Sequence, residues 1–174
     1  MAASFVLGSL IAAFSSVILE HWITQRLLIR PSAIQLGIAQ PRWIEKSFAL
    51  LAAPRELRPL PPKAIDLLIS DQSPELPAEE RAERLFFAAH ANAIADAAAK
   101  TRLDAFQNQY GMSRNLCFAF AITAVLILTG NHESQFTYAL LALALSVLLY
   151  ARYLKFYAAF SLEVFRAEYR RKAS

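Results

Sequence analysis

Three long apolar stretches, separated by a polar middle region, dominate the pattern of hydrophobic and polar positions along the chain. The first covers 18 uncharged residues from 2 to 19, the second covers 116–130, and the third covers 136–151. A helix that crosses a bilayer needs about 20 mostly apolar residues, within a range of about 17–25. The second stretch reaches this length if its helix begins near Met112 and the Arg114 side chain extends to the lipid headgroups. The pattern therefore predicts three transmembrane helices.

The regions between and after these stretches also have a helical pattern. Only residues 131–135 link the second and third stretches, which predicts a tight antiparallel hairpin. All eight prolines lie between 31 and 77, and they divide this region into short pieces such as a helix over 41–51. The 34 residues from Pro77 to Tyr110 contain no glycine and no further proline, which predicts one continuous helix. The C-terminal tail lacks both residues as well, so we expect it to prolong the helix of the third stretch.

The predicted fold is an all-α membrane protein with one N-terminal transmembrane helix, a C-terminal transmembrane hairpin and long cytoplasmic helical extensions. Its five regions are an N-terminal transmembrane helix with its cytoplasmic extension (1–30), a proline-rich cytoplasmic segment with short helices (31–76), a long cytoplasmic helix (77–114), the transmembrane hairpin (115–151) and a basic cytoplasmic helix (152–174).

Two other interpretations account for less of the pattern. Buried helices of a soluble protein would need polar sequence to cover them, but two of the stretches are apolar on every face. A cleaved signal peptide would have a basic start and a small-residue cleavage site. The first stretch instead ends in Leu19-Glu20-His21-Trp22, and its helical pattern continues to Leu28. We therefore expect a retained anchor, with cleavage as the alternative.

The composition agrees with a membrane chain. Hydrophobic residues make up 56% and charged residues 18%, against about 45–50% and about 25% in soluble domains. Residues 20–114 contain 12 Lys or Arg and 11 Asp or Glu, so the net charge of +4 comes from the C-terminal tail. Basic residues beside a hydrophobic helix are explained first by membrane topology and anionic lipid. The distribution argues against nucleic acid as a partner, because the rest of the chain has no basic footprint.

Lys and Arg also predict the orientation, because cytoplasmic loops carry an excess of these residues. None precedes the first stretch or lies in 131–135, whereas basic residues follow the first stretch, precede the second and follow the third. We expect the N-terminus outside and the C-terminus in the cytoplasm, in a bacterial inner (plasma) membrane, since the layout resembles small bacterial membrane proteins of unknown function. The predicted anchors at the membrane interface are Trp22, Arg26, Arg114, Tyr150, Arg152 and Lys155.

Two sets of residues are candidates for helix–helix contacts. Small residues at every fourth position of the first stretch would let another helix approach closely, at an assembly interface or in packing within the chain: Ser4, Gly8, Ala12 and Ser16. The two antiparallel extensions of the hairpin would meet through Leu103, Phe106 and Tyr110 on one side and Tyr153, Tyr157, Phe160 and Val164 on the other. We expect this second set to form a structural core rather than a ligand groove.

The chain has no constellation that predicts catalysis, a cofactor or a metal. Its histidines, at 21, 90 and 132, are expected at a membrane boundary, within a helix and in an external loop, and Cys117 lies in an apolar stretch. The four glycines are scattered, so no glycine loop would hold phosphates. The hairpin stretches contain no charge, although a transport path usually needs one. Glu20 and His21 adjoin a membrane helix, which favours a polar collar over a proton-linked role.

The segment Arg84-Leu85-Phe86-Phe87-Ala88-Ala89-His90 resembles the short signature of HEPN-type ribonucleases. The resemblance covers these seven residues, and Leu85 stands where that family often has a polar residue. It implies a nuclease site, containing Arg84 and His90, that paired helices from two subunits would assemble.

The leading functional hypothesis is a non-enzymatic membrane protein that acts through association. It would be a homo-oligomer, or an accessory or scaffold subunit whose cytoplasmic helices dock another membrane or cytoplasmic protein. The expected partners are the lipid bilayer and a second copy or another protein, and no cofactor is expected. The alternatives are an oligomeric channel-like or membrane-disrupting effector and, from the resemblance, a membrane-tethered ribonuclease.

Overall fold

The structure is a computed structural model that describes residues 2–24, 28–44, 46–47, 56–70, 77–130 and 134–173, with the backbone alone for 2–5, 78 and 79. This part of the chain consists of helices and their connections, without a strand. Helix α1 (Ala2–Ser15) continues directly into a π-helical segment (Ser16–Thr24). The other helices are α2 (Pro31–Gln35), α3 (Pro62–Ile69), α4 (Ala78–Ala95), α5 (Ala97–Leu128) and α6 (Gln135–Ala173).

Two predicted elements fall partly outside the described residues. In the predicted helix over 41–51, residues 43, 44, 46 and 47 are helical, and residues 45 and 48–51 lie outside the description. In the link over 131–135, residues 131–133 lie outside it. The all-helical class is confirmed for the described residues.

Helix α6 is the element on which the other helices assemble. It contains 39 residues, which is about 58 Å at about 1.5 Å per residue. Helices α5 and α6 form an antiparallel hairpin with the most extensive contact between any two helices of the described chain, and α2, α3 and α4 also pack against α6. The C-terminal part of α6 therefore buries residues on several faces, and not in one stripe.

A break at Asp96 divides the region in which the sequence predicts one continuous helix. Helix α4 ends at Ala95, and Asp96 has an extended backbone (φ −87°, ψ 114°) before α5 begins at Ala97. The Asp96 carboxylate accepts a hydrogen bond from the Ala98 N–H at 2.9 Å, which caps the first turn of α5. Because aspartate caps a helix better than it continues one, the chain turns here. Helix α4 then packs on α6 instead of extending α5.

The face of α4 that packs against α6 and its neighbours is made of three alanines and one leucine. Four residues at spacings of three and four positions are 1–4% exposed: Ala82, Leu85, Ala89 and Ala93. They share one buried cluster with residues of α6, α2 and α3, including Phe160, Val164, Phe165, Ala33 and Leu68. This cluster is the core of the polar half, by which we mean α2, α3, α4, residues 97–110 of α5 and residues 153–173 of α6.

Gln35, fully buried at the end of α2, attaches this short helix to α6. Its Nε2 donates to the Ala158 carbonyl of α6 at 2.8 Å and to the Glu56 carbonyl at 2.9 Å. Its Oε1 accepts a hydrogen bond from Ser161 Oγ of α6 at 2.8 Å. Gly37 follows with a φ of 70°, a conformation that glycine adopts without steric cost. The chain therefore turns immediately after the residue that fixes α2 in place.

The outer surfaces of α1, of the second part of α5 and of the first part of α6 are apolar and exposed. Large side chains that are 49–72% exposed include Val6, Leu7, Leu10, Phe14, Val125, Leu126, Phe136, Leu140, Leu141, Leu143 and Leu148. Monomeric soluble proteins rarely expose contiguous apolar surface of this extent. Three helices of the described chain are long and apolar enough to cross a membrane: α1 with its π-helical segment, α5 and α6. We call their exposed surface the apolar belt.

Candidate functional site

An ion pair joins the continuation of α1 to α5 where the apolar belt ends. Arg114 donates to the Glu20 carboxylate, and the two side chains are only 13% and 29% exposed. Ser16 Oγ donates to the same carboxylate at 3.3 Å. Beside this pair the fully buried Ser15 donates to Asn115 Oδ1 at 2.6 Å. These five residues, which we call the boundary cluster, hold the first apolar helix against the second.

The π-helical geometry of Ser16–Thr24 positions this cluster. In a π-helix the hydrogen bonds join residues five positions apart, and the two buried residues of the segment, Leu19 and Thr24, have this spacing. Thr24 Oγ1 donates to the Leu19 carbonyl at 2.7 Å and lies 3.2 Å from the Tyr150 hydroxyl of α6. The segment therefore contacts both helices of the hairpin.

Aromatic rings fill the space between α5 and α6 next to the boundary cluster. The Tyr110 ring centroid is 6.0–6.1 Å from those of Tyr153, Tyr157 and Phe160. The Tyr153 and Tyr157 rings are stacked, with centroids 6.0 Å apart. Leu103, Phe106 and Val164 belong to the adjoining core of the polar half. Of the seven residues of the predicted contact set, four are buried (Leu103, Tyr153, Phe160 and Val164) and three are partly buried (Phe106, Tyr110 and Tyr157).

The predicted membrane-interface anchors divide into buried and exposed residues. Tyr150 is buried, and Arg114 is held in the boundary cluster, so neither side chain extends freely from the surface. The other anchors are Trp22 and Arg152, which are exposed, Lys155, which is partly buried, and Arg26, which lies outside the described residues.

The small-residue face of α1 is open at Gly8 and partly buried further along the helix. A β-carbon at Gly8 would meet no atom within 4 Å. Ala12 and Ser16 are partly buried, and the Ser4 side chain lies outside the description. In the most apolar part of this first span 11% of the residues are buried, against 39% in α6. Most of the residues of this span are therefore exposed in the described structure.

The basic tail is tied to neighbouring helices rather than free in solution. Glu163, buried on α6, accepts from Arg102 of α5 at 2.8 Å and from Arg170 at 3.1 Å. Lys172 Nζ donates to the carbonyl oxygens of residues 67 and 68, at the end of α3, at 3.2 and 3.3 Å. These bonds attach the tail to α5 and to α3.

Glu168, also buried on α6, links the tail to α4. The Arg171 guanidinium donates to its carboxylate at 2.6 Å, and the Asn92 amide of α4 donates to it at 3.0 Å. The Arg171 hydrogen bond holds the pKa of Glu168 below its ordinary value of 4.5, although burial acts in the opposite direction. Because the pKa is lowered in the folded state, the carboxylate stabilises the fold above its unfolded-state pKa. This contribution is lost as the pH falls through the folded-state pKa.

We therefore expect the polar half to lose stability below about pH 4.5 partly through Glu168. The thermal unfolding midpoint of the wild type should fall more steeply with pH in this range than that of Glu168→Gln. Glu80→Gln is the matched control, because Glu80 is exposed and pairs with Arg84 within α4. Equal slopes for the wild type and Glu168→Gln would contradict the prediction.

Arg84 and His90, the pair in the ribonuclease-like segment, lie on different faces of α4. Arg84 is exposed and pairs with Glu80 at 2.8 Å. His90 is partly buried; its ring is stacked on the Phe86 ring at 6.1 Å and tilted against the Phe160 ring at 5.6 Å. The structure does not bring the two residues together within one chain.

Polar chemistry is sparse in the part of the chain that the structure describes. No group of three His, Cys, Asp or Glu residues there could hold a metal ion. In the hairpin, Thr123 Oγ1 donates to the Ala119 carbonyl at 2.9 Å, and Ser146 Oγ donates to the Cys117 carbonyl at 2.9 Å. Both hydroxyl groups therefore donate to the main chain of the hairpin itself.

Sequence reasoning did not predict the pairing of Glu20 with Arg114, and it missed Gln35. The pairing of Glu20 with Arg114 could have been predicted, because the predicted topology places these residues of opposite charge at the same membrane boundary. Gln35 had no usable signal, because a glutamine in a proline-rich segment is ordinarily a solvated residue.

The helices and the apolar belt define the class of the molecule: a helical chain with three helices long and apolar enough to cross a membrane, joined to a polar helical half. No protein-family model matches the chain, and no curated protein or solved structure shows significant similarity to it.

Proposed function

We propose that this chain is an integral membrane protein of the bacterial inner (plasma) membrane. The apolar belt carries this proposal, because burying its side chains in lipid removes them from water at about 25 cal/mol per Å² of apolar surface. The N-terminal end of α1 and the link between α5 and α6 lie outside, and the polar half lies in the cytoplasm. This orientation is supported by the Lys and Arg of the polar half and by their absence from 131–135.

We further propose that the protein acts through association, as a homo-oligomer or as an accessory or scaffold subunit. Support within the membrane comes from α1, which is bonded to α5 through Ser15 while the face around Gly8 remains open. Support on the cytoplasmic side comes from the outer face of α4, where Phe87 is 59% and Ile94 is 44% exposed. These two residues are seven positions apart, so they share one helix face that is available to a protein partner.

The orientation is tested with single cysteines in a Cys117→Ser background, since Cys117 is the one native cysteine. Ser134→Cys near the link and Thr101→Cys in the polar half are both exposed positions. A membrane-impermeant maleimide should label Ser134→Cys in intact bacterial cells and Thr101→Cys only after permeabilisation. The reverse pattern would contradict the orientation, and a folded, monodisperse chain obtained without detergent would contradict the membrane location.

Association is tested by measuring the oligomeric state of the full chain in detergent and in nanodiscs. Gly8→Leu should weaken self-association by about tenfold or more, equivalent to about 1.4 kcal/mol, because it fills the open face of α1. Val6→Leu is the matched control, since Val6 is exposed elsewhere on the same helix. A chain that is monomeric under all conditions and retains no partner on purification from its native membrane would overturn the proposal.

A further inference from the structure

Trp43 lies outside the three apolar helices, next to a residue that packs near the end of the apolar belt. It is 75% exposed, the largest fraction among the large apolar side chains that the structure describes. Its neighbour Ile44 packs against the buried cluster that contains Leu19 of the π-helical segment and Cys117 of α5. Both of these residues lie within three positions of the boundary cluster. Trp43 therefore adjoins a residue that packs beside the boundary cluster, where the apolar belt ends, while its own side chain is exposed.

The chain around Trp43 forms a helical turn that carries a lysine on the same side. The Lys46 N–H donates to the Arg42 carbonyl at 3.0 Å, and Ser47 Oγ donates to the Trp43 carbonyl at 3.0 Å. Residues three positions apart on a helix are neighbours, so Lys46, which is exposed, lies beside Trp43. Tryptophan rings settle at the headgroup level of a bilayer, and ammonium groups there attract anionic lipid.

We propose that residues 41–44, 46 and 47, here called the interfacial segment, lie in the cytoplasmic headgroup layer and bind anionic phospholipid. The indole of Trp43 enters the layer between headgroups and acyl chains, and the Lys46 ammonium contacts a lipid phosphate. This assignment rests on the membrane placement proposed above and adds a lipid preference to it. The position of Trp43 near the end of the apolar belt and the positive charge of Lys46 favour lipid as the molecule that covers the Trp43 ring.

The two tryptophans of the chain, Trp22 and Trp43, make the test direct. Trp22→Phe leaves Trp43 as the single fluorophore, and Trp43→Phe leaves Trp22. The full chain is placed in nanodiscs of phosphatidylcholine with phosphatidylglycerol, in which one lipid is brominated near the headgroup end or near the methyl end of its acyl chains. Trp43 should be quenched most by bromine near the headgroup end, and more strongly when the brominated lipid is phosphatidylglycerol.

The variant Lys46→Gln tests whether the Lys46 ammonium causes the preference for the anionic lipid. This change should lower the preference by up to about fivefold, the factor equivalent to about 1 kcal/mol for one basic residue near an anionic surface. Lys63→Gln is the matched control, because Lys63 is an exposed lysine on α3, away from the interfacial segment. High salt should reduce the preference of the wild type as well, because it screens exposed charges.

Each outcome separates this inference from the membrane placement on which it rests. Quenched Trp22 with unquenched Trp43 overturns the lipid contact alone, whereas no quenching of either residue overturns both. Equal quenching by the two brominated lipids overturns the assignment to anionic phospholipid. If Trp43 is shielded from water but not quenched by brominated lipid, a second copy or another protein covers it. This result also overturns the assignment to anionic phospholipid. If Trp22→Phe does not fold, fluorine NMR of fluorotryptophan-labelled wild type with paramagnetic lipid gives the same comparison from two resonances.

Discussion

Replacing Gln35 with alanine should lower the stability of the polar half by about 3 kcal/mol, a large effect for one residue of a short helix. The Gln35 amide is fully buried and makes hydrogen bonds to Ala158, Glu56 and Ser161. Its truncation removes all of these bonds at once and leaves a cavity. A buried polar group that loses its partner costs about 1–3 kcal/mol, and the cavity adds to this cost.

Hydrogen exchange of the full chain in nanodiscs measures the loss locally. Exchange in α2 and in the facing part of α6 should accelerate by about a hundredfold in Gln35→Ala, since about 1.4 kcal/mol is a factor of ten. Ser161→Ala removes one of the bonds and should cost about 1 kcal/mol. Thr101→Ala, at an exposed position of α5, should stay within about 0.5 kcal/mol of the wild type. Unchanged protection of α2 in Gln35→Ala would show that its other contacts suffice.

Replacing Arg114 with leucine should detach the π-helical segment from α5 at a cost of about 2–3 kcal/mol. The reason is that Glu20 would remain as a mostly buried carboxylate without its cation. A fully buried pair would lose about 3–5 kcal/mol on removal of one partner, and the partial exposure of Glu20 lowers this figure. Glu20→Leu should be similarly destabilising, because it leaves the Arg114 guanidinium unpaired.

The double variant Glu20→Leu with Arg114→Leu distinguishes a true pair from two separate contributions. Its stability should recover most of the loss, because two apolar side chains can replace an ion pair at little cost. The measurement is hydrogen exchange of Ser16–Thr24 in nanodiscs, which reports opening of this segment. The exposed pair Arg84 and Glu80 is the matched control, with a coupling of about 0.5 kcal/mol or less. Additive losses in the double variant would exclude a coupled pair.

Local pattern and chain length were sufficient to predict the broad architecture. In lipid, the backbone of a long apolar run can form hydrogen bonds only with itself. Such a run is therefore expected to form a helix whatever its neighbours are. The contact between α5 and α6 followed from the short link of 131–135, because residues at similar distances from a tight turn must face each other. Tyr110 and Tyr153, whose ring centroids are 6.1 Å apart, are such a pair.

Other features depend on residues too far apart in sequence for any local pattern to join them. Gln35 and Ser161 are separated by 126 positions, and Ser15 and Asn115 by 100. The break at Asp96 combines a local and a distant contribution: Asp96 caps the first turn of α5, and the packing of α4 on α6 stabilises the turn.

The sequence by itself determined that this chain is helical, that three of its helices are apolar over a membrane-spanning length, and which end of the hairpin carries the charge. The tertiary structure alone decided which polar residues are buried, and with which partners. The physical reason is that apolar burial depends on composition, which is local, whereas a polar group is buried favourably only where a distant helix brings its partner within hydrogen-bonding distance.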